Sequence, residues 1–439
     1  MTLISALNTV NRDDLVRVRG AVVRVIGVIV EAEGLSLPIG SECTIVTRSG
    51  ERVVAEVVGF DEGRTHLLPE DGSEGIAPRD EVIHDGEIPC VAVSEGLLGR
   101  VVNARGVPID GLGPLSVKEK MPINGTPIAA MKRQLVCKPV HTGVRAIDSI
   151  LTVGVGQRLG VFSGSGVGKS TLLGMIARNT NLPVNVIALV GERGREVREF
   201  VERDLGPEGL ARSVVVVATG DEAAVMRLRA ARAATSIAEW FRDRGEDVLL
   251  MVDSITRVAL AQREVGLCAG EPPTTRGYTP SVFAMLPRLL ERTGPGEIGS
   301  ITALYSVLVE GDDQHDPIGD AARGILDGQV WLSRELASKG WFPPIDPCSS
   351  TSRTMKSVVD VEHLEAARSL VEKVAIHREI EDMVRLGAYV RGHDARSDQA
   401  IDAMPQIEKL LRQGAEEASG FFDTRSRLIE LNSTSRKAH

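Results

Sequence analysis

Residues 163–171 read Ser163-Gly164-Ser165-Gly166-Val167-Gly168-Lys169-Ser170-Thr171, between an apolar run at 158–162 with strand character and an apolar run with helical spacing. Closely spaced glycines let backbone N–H groups turn inward around an anion, and the start of the following helix favours negative charge. In such a loop Lys169 reaches the β and γ phosphates of a nucleotide and Ser170 ligates Mg²⁺. Loops of this kind usually carry glycine six residues before the lysine, where this chain has Ser163. Gly164 and Gly166 keep the loop glycine-rich, so Gly164, Ser165, Gly166, Val167, Gly168, Lys169, Ser170 and Thr171 are expected to hold the phosphates.

Two carboxylates are placed to work beside that loop. The apolar run at 248–252 ends in Asp253, 84 residues after Lys169. An acid at the C-terminal end of such a strand shares the loop's sheet edge and can hold a water of the Mg²⁺ shell. Another run, 185–190, leads into Gly191-Glu192-Arg193-Gly194-Arg195-Glu196. Glu192 can take a proton from, or orient, the water attacking a γ-phosphate; the alternative is an acid that caps a helix N-terminus. Arg193 is placed to buttress the same site. Arg353, in a polar stretch after Pro343, Pro344 and Pro347, has no role that its spacing dictates, and a loop arginine is usually a solvated charge. In an oligomer with sites between subunits it could enter a neighbour's site and neutralise transition-state charge.

The elements that must position these groups follow from the texture of the chain. Short β-branched runs at 21–30, 43–47 and 52–58 alternate with Gly, Pro and acidic turns, as in a small all-β barrel. Residues 96–143 are rich in Gly and Pro and read as a connecting segment that wraps onto the next domain. Strand candidates at 158–162, 185–190, 213–219, 248–253 and 300–309 then alternate with helical patterns at 169–178, 194–205 and 222–244, which predicts a mostly parallel sheet covered on both faces. Beyond 358 the strands stop and helical periodicity runs over 361–386, 397–404 and 405–431. The expected division is a short docking segment at 1–18, a β-barrel at 19–92, the phosphate-binding domain at 93–357 and a helical domain at 358–439.

Composition narrows the function. The 439 residues carry 51 Lys+Arg against 60 Asp+Glu, a formal charge of −9, and only 3% aromatics. That balance argues against a chain built to grip nucleic acid. No apolar stretch approaches the roughly 20 residues of a membrane helix, and residues 1–20 lack the basic start and apolar core of a signal peptide, so a cytosolic location is expected. Five scattered cysteines read as free thiols, and His66, His84 and His141 lack metal-ligand spacing.

The motifs together resemble the ATPases of type III protein export, relatives of the rotary ATP synthase subunits, with the flagellar branch favoured. The likeness runs from about residue 20 to near the end. It is carried by Thr142-Gly143-Val144-Arg145-Ala146-Ile147-Asp148, the loop above, 191–200, Asp253-Ser254-Ile255-Thr256-Arg257, 270–283, 310–316 and Ile325-Leu326-Asp327-Gly328. Gln314-His315-Asp316-Pro317 after Glu310-Gly311-Asp312-Asp313 is closer to the flagellar pattern.

The resemblance implies an α/β fold with a RecA-like P-loop ATPase core, an N-terminal β-barrel and a C-terminal α-helical domain, assembled as a homohexamer with ATP and Mg²⁺ between subunits. It makes Glu192 the catalytic carboxylate, Lys169, Ser170 and Asp253 the phosphate and magnesium residues, and Arg353 an arginine finger supplied in trans. Phe342 matches an aromatic position, commonly Tyr, that packs on adenine, and stacking does not need the hydroxyl. Implied partners are a stator-like negative regulator, a stalk-like central protein, membrane proteins of an export gate and chaperone–substrate complexes, at the inner face of the cytoplasmic membrane. Residues 266–281 resemble the stretch that lines the central pore and meets the stalk; the alternative is a proline-rich interdomain loop. The N-terminal extension that docks the regulator is short here.

Competing readings are weaker. A hexameric nucleic-acid translocase would need a basic, aromatic barrel, but residues 18–92 hold 6 Arg and no Lys against 14 Asp+Glu, with Phe60 the only aromatic. A rotary synthase subunit would carry an acidic shaft-engaging signature that 385–405 lacks. A non-catalytic nucleotide-binding subunit would lack Glu192. An injectisome member of the same export family is the nearest alternative.

Overall fold

The computed structural model describes residues 18–117, 119–309, 313 and 316–437. The docking segment expected at 1–18 lies outside the described residues except for Val18, and so does most of the run 310–315 that favours the flagellar pattern.

Strands Val18–Ile26, Ile29–Glu33, Glu42–Val46, Arg52–Asp61, Arg64–Pro69 and Glu81–His84 close into a barrel in the order first, second, fifth, fourth, third, sixth. Their period-2 alternation sends Val22, Val30, Ile45, Val53, Ala55, Val57, Leu67 and Val82 inward as a separate core. The run 21–30, expected as one strand, is instead a hairpin that turns at Gly27 and Val28 with Ile26 opposite Ile29. Its β-branched residues continue across the turn, so composition alone hides the reversal.

After His84 the chain leaves the barrel, and Cys90–Val93 pairs antiparallel with Glu119–Pro122. This ribbon lies on helix Ala224–Arg242: Ser236 Oγ donates to the Pro122 carbonyl at 2.8 Å and Trp240 Nε1 to Glu119 at 2.9 Å. The Gly- and Pro-rich stretch at 96–143 thus packs onto the central domain, and it also adds strand Arg100–Asn103 to the edge of the central sheet. Ion pairs tie the barrel to the central domain, with Arg105 2.6 Å from Glu70, Arg232 3.8 Å from Glu56 and Arg229 against Glu42.

The central sheet runs Thr351–Ser352, Gly328–Leu332, Arg158–Ser163, Ser300–Leu308, Asp247–Asp253, Val184–Glu192, Ser213–Thr219, Arg100–Asn103. All neighbours in that order are parallel except the first pair. Helices cover both faces, so strands such as Val214–Ala218 are apolar at every position and fully buried. The helix expected over 194–205 is α-helical only over Gly194–Glu199 and widens to a π-turn over Phe200–Leu205.

Three helices close the chain: Val361–Arg385, Ala395–Leu411 and Phe421–Lys437. The sequence predicts a break at Pro405, but Pro405 lies inside the second helix. An interior proline costs about 3 kcal/mol. Here Ala400, Ala403, Met404, Ile407, Leu410 and Leu411 form a buried stripe at helical spacing that offsets it. The break comes at Arg412, where the buried guanidinium of Arg145 takes the carbonyls of Leu410 and Arg412.

Candidate nucleotide site

Strand Arg158–Ser163 runs directly into the loop, and Lys169 opens helix Lys169–Asn179. Gly166 and Gly168 adopt φ of 76° and 93°, a backbone that turns N–H groups into the concavity. Ser163 Oγ is buried without a hydrogen-bond partner among the described residues, while Ser165 and Ser170 are exposed. An orphan hydroxyl, positive-φ glycines and a helix start in one loop suit a bound phosphate chain.

The parallel register brings the strand ends to one sheet edge. Lys169 Nζ contacts Asp253 Oδ1 and lies 3.9 Å from Glu192, with the three side chains 10%, 3% and 12% exposed. Ser306 Oγ, on the adjacent strand, donates to Asp253 at 2.5 Å. Asp253, at this sheet edge, and Ser170, in the first turn of the loop's helix, offer hard oxygens of the kind that fits Mg²⁺.

Burial, and then the Asp253 charge, push the Glu192 carboxyl up to about 7, against the opposing pull of Lys169 and Arg257. A carboxylate with that affinity for protons is suited to accept one near neutral pH. Arg257 lies 3.0 Å from Glu192 and donates to the Gly191 carbonyl. Gly191 permits this approach, since a Cβ there would sit 2.9 Å from Arg257 Cδ.

Arg193 does not buttress the site within the chain. Its side chain is 86% exposed and 3.9 Å from Glu196, because it caps the next helix and points to solvent. Arg257 stands in that place. It lies in the first turn of helix Ile255–Cys268, four residues after Asp253, and that spacing from a strand-end acid is the signal that could have found it. Ser306, a polar residue in an apolar strand, carries no such signal.

The pH profile of kcat/KM for ATP, which reports the free enzyme, is expected to rise through a limb near pH 7 as Glu192 loses its proton. Arg257→Gln removes a nearby positive charge, so the limb should move to higher pH. A limb unchanged in Arg257→Gln would dissociate it from Glu192.

Phe342 and Arg353 lie at opposite ends of the sheet. Phe342, half-exposed, follows helix Arg334–Ser338, whose Arg334 donates to the Ser165 carbonyl of the loop at 3.3 Å. Arg353 follows edge strand Thr351–Ser352, and its N–H donates to the Asp327 carbonyl at 2.9 Å. Ser163 pairs with Leu332 while Gly328 pairs with Ser352, so Arg353, opposite Asp327, is displaced from its own loop by five strand residues, about 17 Å. That exceeds an arginine's reach, and the exposed guanidinium donates to the Arg323 carbonyl at 3.5 Å. A cleft of about 380 Å³ lined by Arg232, Arg288 and Arg292 shares none of these residues.

Residues 143–352 match the ATP synthase alpha/beta family, nucleotide-binding domain, and residues 359–430 match the T3SS EscN ATPase C-terminal domain. The flagellum-specific ATP synthase of Bacillus subtilis is 51% identical, covering 97% of this chain and 98% of the relative. A type 3 secretion system ATPase of Xanthomonas euvesicatoria is 49% identical over 92% of each. The assembled ATPase EscN from the enteropathogenic E. coli type III secretion system superposes with a TM-score of 0.90 at 42% identity, covering 94% of this chain and 99% of EscN. With motif order, sheet topology and site geometry in agreement, the chain belongs to the ATP synthase alpha/beta family, in its branch of flagellum-specific and type III secretion ATPases.

Proposed function

We propose that this ATPase works as a homohexamer that hydrolyses ATP with Mg²⁺ to drive type III protein export, releasing substrates from chaperones and delivering them to a membrane export gate. The carrying observation is the split site: Lys169, Glu192 and Asp253 share one sheet edge, and Arg353 stands exposed at the other. In a ring, each Arg353 would complete the site of the next subunit. The assembled state of EscN, and EscN in complex with its central stalk EscO, support the ring and a stalk-like partner. No helix among the described residues is long and apolar enough to cross a membrane, which suits a peripheral place beneath the gate.

In this reading Gly164 to Thr171 cradle the phosphates, Ser170 and Asp253 hold Mg²⁺, with Asp253 acting through water, and Phe342 packs on the base. Bound Mg²⁺ would neutralise charge on the β and γ oxygens. Lys169 exchanges its carboxylate partners for phosphate oxygens. Glu192 orients the attacking water and takes its proton, with Arg257 holding the carboxylate.

Hydrolysis per chain should rise steeply with protein concentration, in step with hexamers counted by mass photometry. Full activity in dilute samples containing only monomers would overturn the split site.

A further inference from the structure

Residues 412–420, between the last two helices, reach back both to Phe342 and to the turn packed on the far end of the phosphate-loop helix, and Gln413 touches both. Gln413 is 4% exposed. Its Oε1 accepts from the Arg145 N–H at 2.8 Å, and its Nε2 donates to the carbonyls of Gly143 at 2.8 Å and Glu417 at 2.6 Å. Since a backbone N–H only donates and a carbonyl only accepts, these partners fix which end of the amide is oxygen. The Gln413 main-chain N–H donates to the carbonyl of Phe342 at 2.8 Å.

On the other side, the turn that Gln413 grips is pressed onto the phosphate-loop helix. Gly143, at φ 74°, lies so close to Asn179 that a Cβ would sit 2.3 Å from the Asn179 Cβ. Asp148 holds this turn through the N–H groups of Thr142 and Gly143 at 2.9 and 3.0 Å. Asn179 ends the helix that Lys169 begins. A continuous path of packed and hydrogen-bonded groups therefore runs from the phosphate loop through Asn179, Gly143 and Gln413 to Phe342.

We propose that Gln413 is a positioning residue for the nucleoside triphosphate: it sets the place of the Phe342 ring relative to the phosphate loop. This rests on the reading of Phe342 as the base contact. Without the amide, the Gln413 backbone keeps its bond to Phe342 but loses its direct hold on the Gly143 turn, leaving only the Arg145 guanidinium on the carbonyls of Leu410 and Arg412, so base and phosphates are held less firmly in one register. A fault of this kind weakens ground-state and transition-state binding alike, which raises KM and spares kcat.

The test uses the full-length chain in four forms, wild type, Gln413→Ala, Phe342→Ala and the double variant, with folding checked by circular dichroism. Gln413→Ala is expected to raise KM for ATP by about tenfold with kcat within about twofold, and to leave inhibition by pyrophosphate, which has phosphates but no base, unchanged. For ADP affinity by calorimetry, Gln413→Ala should cost little further in the Phe342→Ala background. Equal losses in both backgrounds, or a matching loss of pyrophosphate binding, overturn the proposal in favour of a general structural role. If Phe342→Ala alone leaves ADP affinity intact, the base-contact reading falls and this inference with it; if only Gln413→Ala is silent, the inference falls alone. Should Gln413→Ala not fold, Gln413→Asn, an amide too short to span both carbonyls, takes its place in the same cycle.

Discussion

Glu192→Gln is expected to cut ATP turnover by about 10²–10⁴-fold while ATP affinity stays within about twofold. The amide preserves shape and can still accept from Arg257, 3.0 Å away in the native chain, but it cannot take a proton. Single-turnover hydrolysis beside equilibrium binding of ATP separates the two effects. An unchanged rate would reduce Glu192 to a helix-capping acid. Stability supplies an independent readout of opposite sign. Because burial and Asp253 raise this carboxyl to about 7, the folded chain holds a proton that the unfolded chain releases from its ordinary value near 4.5. Native stability therefore falls as pH rises between those values, and the cost is fully present above 7. Gln carries no charge and escapes it. The variant should thus melt above the wild type at pH 8, with the difference fading below about pH 4.5.

Arg353→Ala is expected to lower kcat by about 10³-fold or more, the scale of a lost arginine finger, although its guanidinium touches nothing in its own nucleotide site. That guanidinium donates to the Arg323 carbonyl at 3.5 Å, at the end of the sheet remote from Lys169. The loss should be repaired by mixing. When Arg353→Ala and Glu192→Gln chains, each inactive alone, are unfolded and refolded together, some interfaces pair a native Glu192 with a neighbour's native Arg353. In randomly mixed rings that is about one site in four, and activity should recover to about that fraction. No recovery in verified mixed rings would place Arg353 outside the neighbouring site. A normal rate for Arg353→Ala alone would make it a solvated charge.

Features that depend on neighbours along the chain are legible in the residues alone. The phosphate loop is legible because glycine backbone freedom, a lysine and a hydroxyl act within nine residues, and it lies between an apolar strand and a helix, Arg158–Ser163 and Lys169–Asn179. The reach of Asp253 and Glu192 to the loop's edge is legible for a related reason: parallel strands buried on both faces are near-continuous apolar runs, so their ends are marked by the first charged residue. Only the tertiary structure decided the rest, because it depends on groups far apart in sequence or on burial that composition does not encode. Arg193, next to Glu192 in sequence, reads as the arginine that steadies it until the fold exposes that side chain and turns Arg257 toward the carboxylate. Pro405 reads as a helix end until a buried stripe holds the helix through it. Arg353 reads as a loop charge until strand register carries it beyond reach of its own lysine. The grip of Gln413 on Gly143 and Arg145 joins residues 270 and 268 apart, and no periodicity or local motif spans that distance.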